Sequence, residues 1–356
     1  MDRKARLLGN CNRSSRILEI GPSYNPVAPK SGGWNTQVVD HATRDALRAK
    51  YAHAQVDLEA IEPVDWLWRD GMLHDALPAT WQGSFDRLIA SHVIEHTTDF
   101  AGFLNSAGRL LSPDGTIALA VPDRRFCFDC FRPATTTGDL LEAHTAKRTR
   151  HSLRTAWDHV AYAASMDGVL GWDRSHTGTP RFIDNFSAAA ATFALFRDDP
   201  DTPYADYHAW QFTPAGFRLA ILELGQLGVI DWRVTETYGP DSFEFFVFLR
   251  RGTPHFEDAE ALQTARLSLL RQQWRETREQ ADIALADAGL PVGLEAGTTV
   301  SCHLNMANSE TSGQRKILTG TDRKNQHLPQ DGAQPRKMGV TRATRSLLRK
   351  LGSLWR

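Results

Sequence analysis

Three residues that could do chemistry stand close together in FDRLIASHVIEHTTDF, residues 85–100: His92, Glu95 and His96 spell H-x-x-E-H. On one continuous helix this spacing would put two imidazoles a turn apart, able to share a zinc ion beside a carboxylate, as in a metallopeptidase. The flanking residues argue against that helix. DRLIAS, before His92, carries no helix start, and the threonines able to cap a helix, Thr97 and Thr98, come after His96. The motif therefore straddles a strand-to-helix turn, which excludes the peptidase. Two readings remain. His92 and His96 border a pocket and Glu95 organises them by hydrogen bonding, or Glu95 and His96 merely cap the helix that follows. No metal site is assigned on the sequence; Glu95 and His96 would be its candidates.

A second pair of chemically capable residues lies upstream. RILEIG (residues 16–21) is an apolar run stopped by Gly21 and Pro22, and TQVVD ends in Asp40 nineteen residues after Gly21. A strand ending in glycine and turning into a helix offers backbone N–H groups to a ligand. An acid at the end of the next strand accepts hydrogen bonds from ribose hydroxyls. The pair describes a site for an adenosine-containing cofactor. A dinucleotide turn would read G-x-G-x-x-G, whereas this one reads GPSYNP, with one glycine and two prolines that lack N–H donors. Pyrophosphate is disfavoured, which argues against an NAD-dependent or nucleotide-sugar oxidoreductase. A cofactor without phosphates fits better.

The elements that must carry these residues alternate. Strands are expected at residues 16–21, 36–40, 65–68, 85–91 and 115–122. A helix over 97–115 has Thr97 or Thr98 as N-cap and Phe100, Phe103, Leu104, Ala107, Leu110 and Leu111 as its apolar stripe. Residues 124–207 interrupt the rhythm with aromatic, His and Arg residues and two helical stretches, 138–148 and 152–166. A helix over 212–228 and two strands, 229–239 and 242–251, joined by a Gly-Pro-Asp turn, restore it. That last pair reads as an antiparallel hairpin at the sheet edge. Residues 253–289 form a long amphipathic helix with Leu262, Leu267, Leu270 and Trp274 among its apolar positions. Residues 290–356 read as a disordered basic tail containing a short amphipathic segment, 341–356.

Bulk properties narrow the partners. From residue 301 on there are 11 Lys/Arg against 3 Asp/Glu, which leaves −9 for the first 300 residues, so no nucleic-acid footprint is expected. Four cysteines in 356 residues make no disulfide framework, and no apolar run is long enough to span a membrane. A cytoplasmic protein is expected. The segment 341–356, with five positive and no negative charges, could rest on an anionic membrane surface or bind a protein partner.

The succession LEIGPS, VVD, RDGMLHDALPATWQGSFDRLIASHVIEH and AGRLLSPDGTIALAVPD resembles the class I S-adenosylmethionine-dependent methyltransferases over residues 14–251. The resemblance implies a Rossmann-like α/β fold: a seven-stranded, mostly parallel sheet with an antiparallel last strand and a helical insert after strand five. It also implies S-adenosylmethionine as cofactor. Glu19, Gly21 and Ser23 would line the methionine end, Asp40 would hold the ribose and His41 would flank the adenine. Asp70 and Gly71 would meet the adenine edge, and Ser91 and His92 would close the pocket. H-x-x-E-H is also similar to the E-x-x-E-H metal motif of certain O-methyltransferases, with His in place of the first Glu.

Methyl transfer to a hydroxyl needs a group to take the proton. The candidates are His92, His96, Asp123 after strand five, and His208 just before the helix that returns to the sheet. The expected acceptor is a small molecule or glycan. Arg124 and Arg125 could hold an anionic or polyhydroxylated one, or be surface charge. Cys127-x-x-Cys130 stands without a second pair and is read as structural. The rival of another class is a non-catalytic adaptor built on a degenerate methyltransferase fold.

Overall fold

The computed structural model describes residues 2–286 apart from positions 177, 200, 201, 203 and 241. In chain order its elements are α1 (Arg3–Leu8), β1 (Ile17–Ile20), β2 (Thr36–Asp40), α2 (Arg44–Tyr51), β3 (Trp66–Leu67), β4 (Phe85–Ser91), α3 (Phe100–Leu110) and β5 (Leu111–Pro122). The insert follows as α4 (Thr137–Thr145), α5 (Leu153–Ala161), β6 (Ala164–Met166), β7 (Pro180–Phe182) and α6 (Phe186–Asp198). The chain then returns through α7 (Pro214–Gln226), β8 (Trp232–Tyr238), β9 (Glu244–Arg251) and α8 (Ala259–Ala286).

One seven-stranded sheet runs β3-β2-β1-β4-β5-β9-β8. β1 pairs in parallel with both β2 and β4, and β9 runs antiparallel to β5 and to β8. The expected seven-stranded, mostly parallel sheet and its antiparallel edge pair are therefore present. Every residue of β1 is buried, as a parallel strand covered on both faces must be. The larger core layer joins the sheet to α3 and α7 through Phe100, Phe212, Phe217, Trp232 and Phe245. On the other face Leu7 of α1 and Val27 and Ala28 of a loop pack on Ile89, Ala118 and Phe246. Strand order reverses between β1 and β4. In open α/β sheets the crevice outside the carboxyl ends at such a reversal is where ligands bind.

Several sequence expectations are corrected. No helix follows β1: after Gly21 the chain runs through a loop and a 3-10 turn, Lys30–Gly32, to β2. The prolines at 22, 26 and 29 withhold the amide donors a helix would use. Asp99, not Thr97 or Thr98, caps α3 by accepting from the Gly102 amide at 2.8 Å. β5 starts at Leu111, where pairing with Phe85 captures the residue assigned to the helix stripe. The second helical stretch of the insert stops at Ala161, because Ala164–Met166 pairs with Pro180–Phe182 in a separate hairpin. In α8, Leu267, Leu270 and Trp274 face outward. That helix docks by polar contacts: Arg266 Nε donates to Glu223 at 2.7 Å, and Glu276 accepts from the Ala215 amide at 3.1 Å. No helix among the described residues is long and apolar enough to cross a membrane. The segment 341–356 lies outside the described residues.

Candidate active site

The carboxyl ends of β1, β2 and β4 lie level, since Ile20 is paired with both Val39 and Ala90. Gly21, Asp40 and Ser91 thus sit side by side at the strand reversal. Gly21 has φ +59° and its amide donates to Val39 O at 2.7 Å. Ser23 (φ +49°) and His92 (φ +53°) hold the same left-handed backbone without being glycine. Such conformations are unfavourable for side-chain-bearing residues and gather where a ligand dictates the backbone.

Asp40 is 3% exposed. Its Oδ1 accepts from the His41 amide at 2.7 Å and lies 2.6 Å from His41 Nδ1, while Oδ2 is buried with no hydrogen-bond partner. The Ser23 hydroxyl is buried and equally unpartnered. Orphaned buried acceptors are costly in a folded chain, and a ribose diol with its neighbouring polar groups would supply what these two lack. The residues present therefore fit the adenosine cofactor that the fold implies. Glu19, assigned to the methionine end, spends its carboxylate on the Val27 and Ala28 amides, at 2.6 and 3.0 Å. It shapes the loop under the ligand edge, and burial pushes its pKa up to about 7 against those two donors. His41 is partly exposed beside Asp40, and Asp70 and Gly71 are exposed in the loop beyond β3. Ser91 Oγ accepts from Arg3 Nη2 at 2.5 Å, which brings α1 to the same edge.

Beyond β4 the chain makes a 3-10 turn, Ile94–His96, so H-x-x-E-H lies on no α-helix. His92 Nε2 is 2.9 Å from Glu244 Oε2, and Nδ1 is 3.5 Å from Glu95 Oε1. Burial opposes its charge, but the two carboxylates prevail and lift its pKa to about 9, while Glu244, paired also with Arg3, is held down to about 2. Glu95 is 1% exposed. Burial would raise its pKa, yet His92, His96 and His208 keep it below the usual range. Its backbone carbonyl accepts from the Ala209 amide at 2.6 Å, which clamps the 205–212 segment onto the turn and brings His208 in.

His208 Nδ1 is 2.5 Å from Asp129 Oδ2, and its ring stands edge-on to that of His96, centroids 4.5 Å apart. His96 Nδ1 is 3.0 Å from Asp206 Oδ1, and burial lowers its pKa. Glu95, His96 and His208 each offer a ligand atom within 4.8 Å of the others. His151 and His159 lie close by in the insert, His159 accepting from the His208 amide at 3.1 Å. Burial drives His151 down to about 3.

Other candidates serve the frame. Asp123 is fully buried and gives both carboxylate oxygens to Arg125, at 2.9 and 2.6 Å. Arg125 also reaches Glu279, and Arg124 donates to Gln280 at 2.8 Å. Both arginines tie α8 to the sheet edge and neither offers a surface to an acceptor. Cys127 and Cys130 are buried free thiols, burial pushing Cys130 up to about 12. Asp129, Asp206 and Glu244 carry no sequence signal, because their partners lie in remote segments and no local spacing marks them.

Residues 1–176 match the family model described as a methyltransferase domain. No curated protein matches the sequence significantly. Among solved structures, one similar chain is a Rhodobacter sphaeroides protein provisionally described as a zinc-dependent alcohol dehydrogenase, at 15% identity over 70% of this chain and 89% of that one, TM-score 0.38. The CcbJ methyltransferase from Streptomyces caelestis is 14% identical over 70% and 94%, TM-score 0.36. A SAM-dependent methyltransferase from Methanosarcina mazei is 9% identical over 71% and 100%, TM-score 0.36. Likenesses this slight carry no argument about the acceptor. The family match covers β1 to β5, where the strand reversal and the unpartnered acid are found. The chain carries a methyltransferase domain over residues 1–176, set on the class I fold of the S-adenosylmethionine-dependent enzymes.

Proposed function

We propose that this methyltransferase methylates a hydroxyl oxygen of a small molecule or of a sugar unit in a glycan. The acceptor would be activated against Glu95, His96 and His208, with the 124–207 insert as the lid over it. One observation carries this reading: the buried His208–Asp129 contact at 2.5 Å, close to the strand ends that hold the cofactor. A carboxylate on Nδ1 fixes the imidazole tautomer and leaves Nε2 with its lone pair, which a hydroxyl acceptor needs nearby and an already nucleophilic thiolate does not. Of the four catalytic candidates, His96 and His208 are assigned to the acceptor. His92 and Asp123 are assigned to structure, since Glu244 and Arg125 engage them.

The catalytic domain is taken as residues 1–252, the amphipathic helix as 253–289 and the basic tail as 290–356. A cytoplasmic location, and a peripheral membrane or protein contact through 341–356, rest on the sequence alone. The test is a panel of glycosides, phenols, amines and thiols incubated with the full chain and S-adenosylmethionine, products read by mass. A one-methyl gain on hydroxyl acceptors, abolished in His208→Ala, supports the reading. Transfer confined to amines or thiols sinks it.

A further inference from the structure

Glu95 poses a problem of charge. Neither of its buried carboxylate oxygens has a hydrogen-bond partner. A buried carboxylate with no hydrogen bond is unfavourable even beside a cation, and the cation here, His92, is shared with Glu244. The nearest imidazole nitrogens nevertheless stand off, His92 Nδ1 at 3.5 Å and His96 Nε2 at 3.9 Å from Oε1. Direct N–H···O bonds would close to roughly 2.9 Å. The gap is shared with His208, whose Nδ1 is taken by Asp129, so that its Nε2 is the atom left for the interior.

Behind each histidine stands a carboxylate: Asp129 at 2.5 Å from His208 Nδ1 and Asp206 at 3.0 Å from His96 Nδ1. This is the support that metal-binding histidines usually have, a carboxylate on one ring nitrogen and the ion on the other. Glu95, Asp129 and Asp206 put three negative charges around the gap. Arg132, 2.8 Å from Asp129, offsets one of them, Lys50 lies 4.0 Å from Asp206, and His92 is engaged with Glu244 as well as facing Glu95.

The geometry points to a divalent-cation site formed by Glu95, His96 and His208. It deepens the reading just proposed and rests on it: with Nε2 of His208 given to the ion, the acceptor hydroxyl would bind at an open position of the ion, which would lower its pKa so that the proton leaves to solvent instead of to His208. Two imidazoles and one carboxylate suit a borderline ion of the Zn²⁺ or Fe²⁺ kind better than Mg²⁺, which prefers all-oxygen shells. Ligand atoms lie about 2.0–2.2 Å from such an ion, so binding draws the three side chains inward by about an ångström. His92, the first letter of H-x-x-E-H, is outside the set. The third ligand comes instead from position 208, brought in by the Ala209–Glu95 backbone bond.

The test strips the full chain with chelator, titrates it with Zn²⁺ and counts bound metal by mass spectrometry. Co²⁺ absorption then reads the coordination, and circular dichroism verifies that each variant is folded. The expected result is one ion per wild-type chain. Glu95→Gln and His208→Ala should each bind at least about tenfold more weakly, and Asp129→Asn, which removes only the outer carboxylate charge, about tenfold more weakly. His144→Ala, at a histidine paired with Asp99 near the surface, should match wild type. A wild-type chain that binds no ion at micromolar Zn²⁺, or Glu95→Gln and His208→Ala binding as tightly as wild type, overturns the site. Metal counting needs neither cofactor nor acceptor. Its failure leaves hydroxyl methylation standing, and a metal-loaded chain that methylates no hydroxyl fails only that reading.

Discussion

Two halves of the ligand edge are built on different plans. The half after β1 and β2 uses short local segments, GPS and VVD, and leaves buried acceptor atoms unpartnered: Asp40 Oδ2 and the Ser23 hydroxyl. The half after β4 draws on residues 92–96, 129 and 206–208, and pairs its histidines with carboxylates contributed by the insert. The first plan suits recognition of a fixed partner, because unsatisfied groups gain most when the ligand arrives. The second suits chemistry, because Asp129 fixes the tautomer and orientation of His208 in advance. Binding and activation should therefore be separable by mutation.

The largest effect is expected at the second half. His208→Ala should lower kcat by about 10²–10⁴-fold, the range that loss of a group activating a proton transfer produces. A variant retaining wild-type turnover would remove the trio from the chemistry. At the root of the insert, Asp123→Asn breaks a buried pair with Arg125 and should cost about 3 kcal/mol of stability, measurable by urea unfolding, with the pH–rate profile unmoved. A shifted profile in a stable protein would restore Asp123 as a base. On the cofactor half, Asp40→Ala should weaken S-adenosylhomocysteine by roughly 10–100-fold, the value of a hydrogen bond to a charged group.

The smallest effect concerns the pair that joins the two halves to α1 and β9. His92 is lifted from 6.5 to about 9, so its contribution is complete below pH 6.5 and is lost as pH rises toward 9. Glu244 is lowered from 4.5 to about 2, so its contribution is complete above pH 4.5 and is lost as pH falls toward 2. Stability from the pair peaks between these limits. Melting temperature against pH should fall by a few degrees on the alkaline side, and His92→Asn should flatten that limb. An unchanged slope would show the pair to be energetically silent.

What could be read from the sequence follows the same division. β1, β2, β4, β5 and the antiparallel edge pair announce themselves as apolar runs ended by Gly, Pro or Asp, and Gly21 with Asp40 needs only a spacing of nineteen residues. The absence of a helix after β1 was written in the prolines at 22, 26 and 29, which a strand-turn-helix template passes over. The hairpin of β6 and β7 was hidden because each strand is three residues long and its partner lies fourteen residues away. Arg124 and Arg125 looked like acceptor ligands until α8, more than 150 residues later, supplied Gln280 and Glu279. His208 is marked by its type and by its place just before the helix that returns to the sheet. Asp129, which orients His208, and Asp206, 3.0 Å from His96, come to the site only as the insert folds over the strand ends.

The separation of binding from activation is tested most directly by titrating S-adenosylhomocysteine calorimetrically into wild type and into folded Glu95→Gln and His208→Ala chains. The same preparations are then assayed for single turnover on one accepted substrate. The account predicts dissociation constants within about twofold of wild type, with turnover lost in both variants. Cofactor affinity falling in step with turnover would mean that one site serves both tasks, and the division drawn here would be wrong.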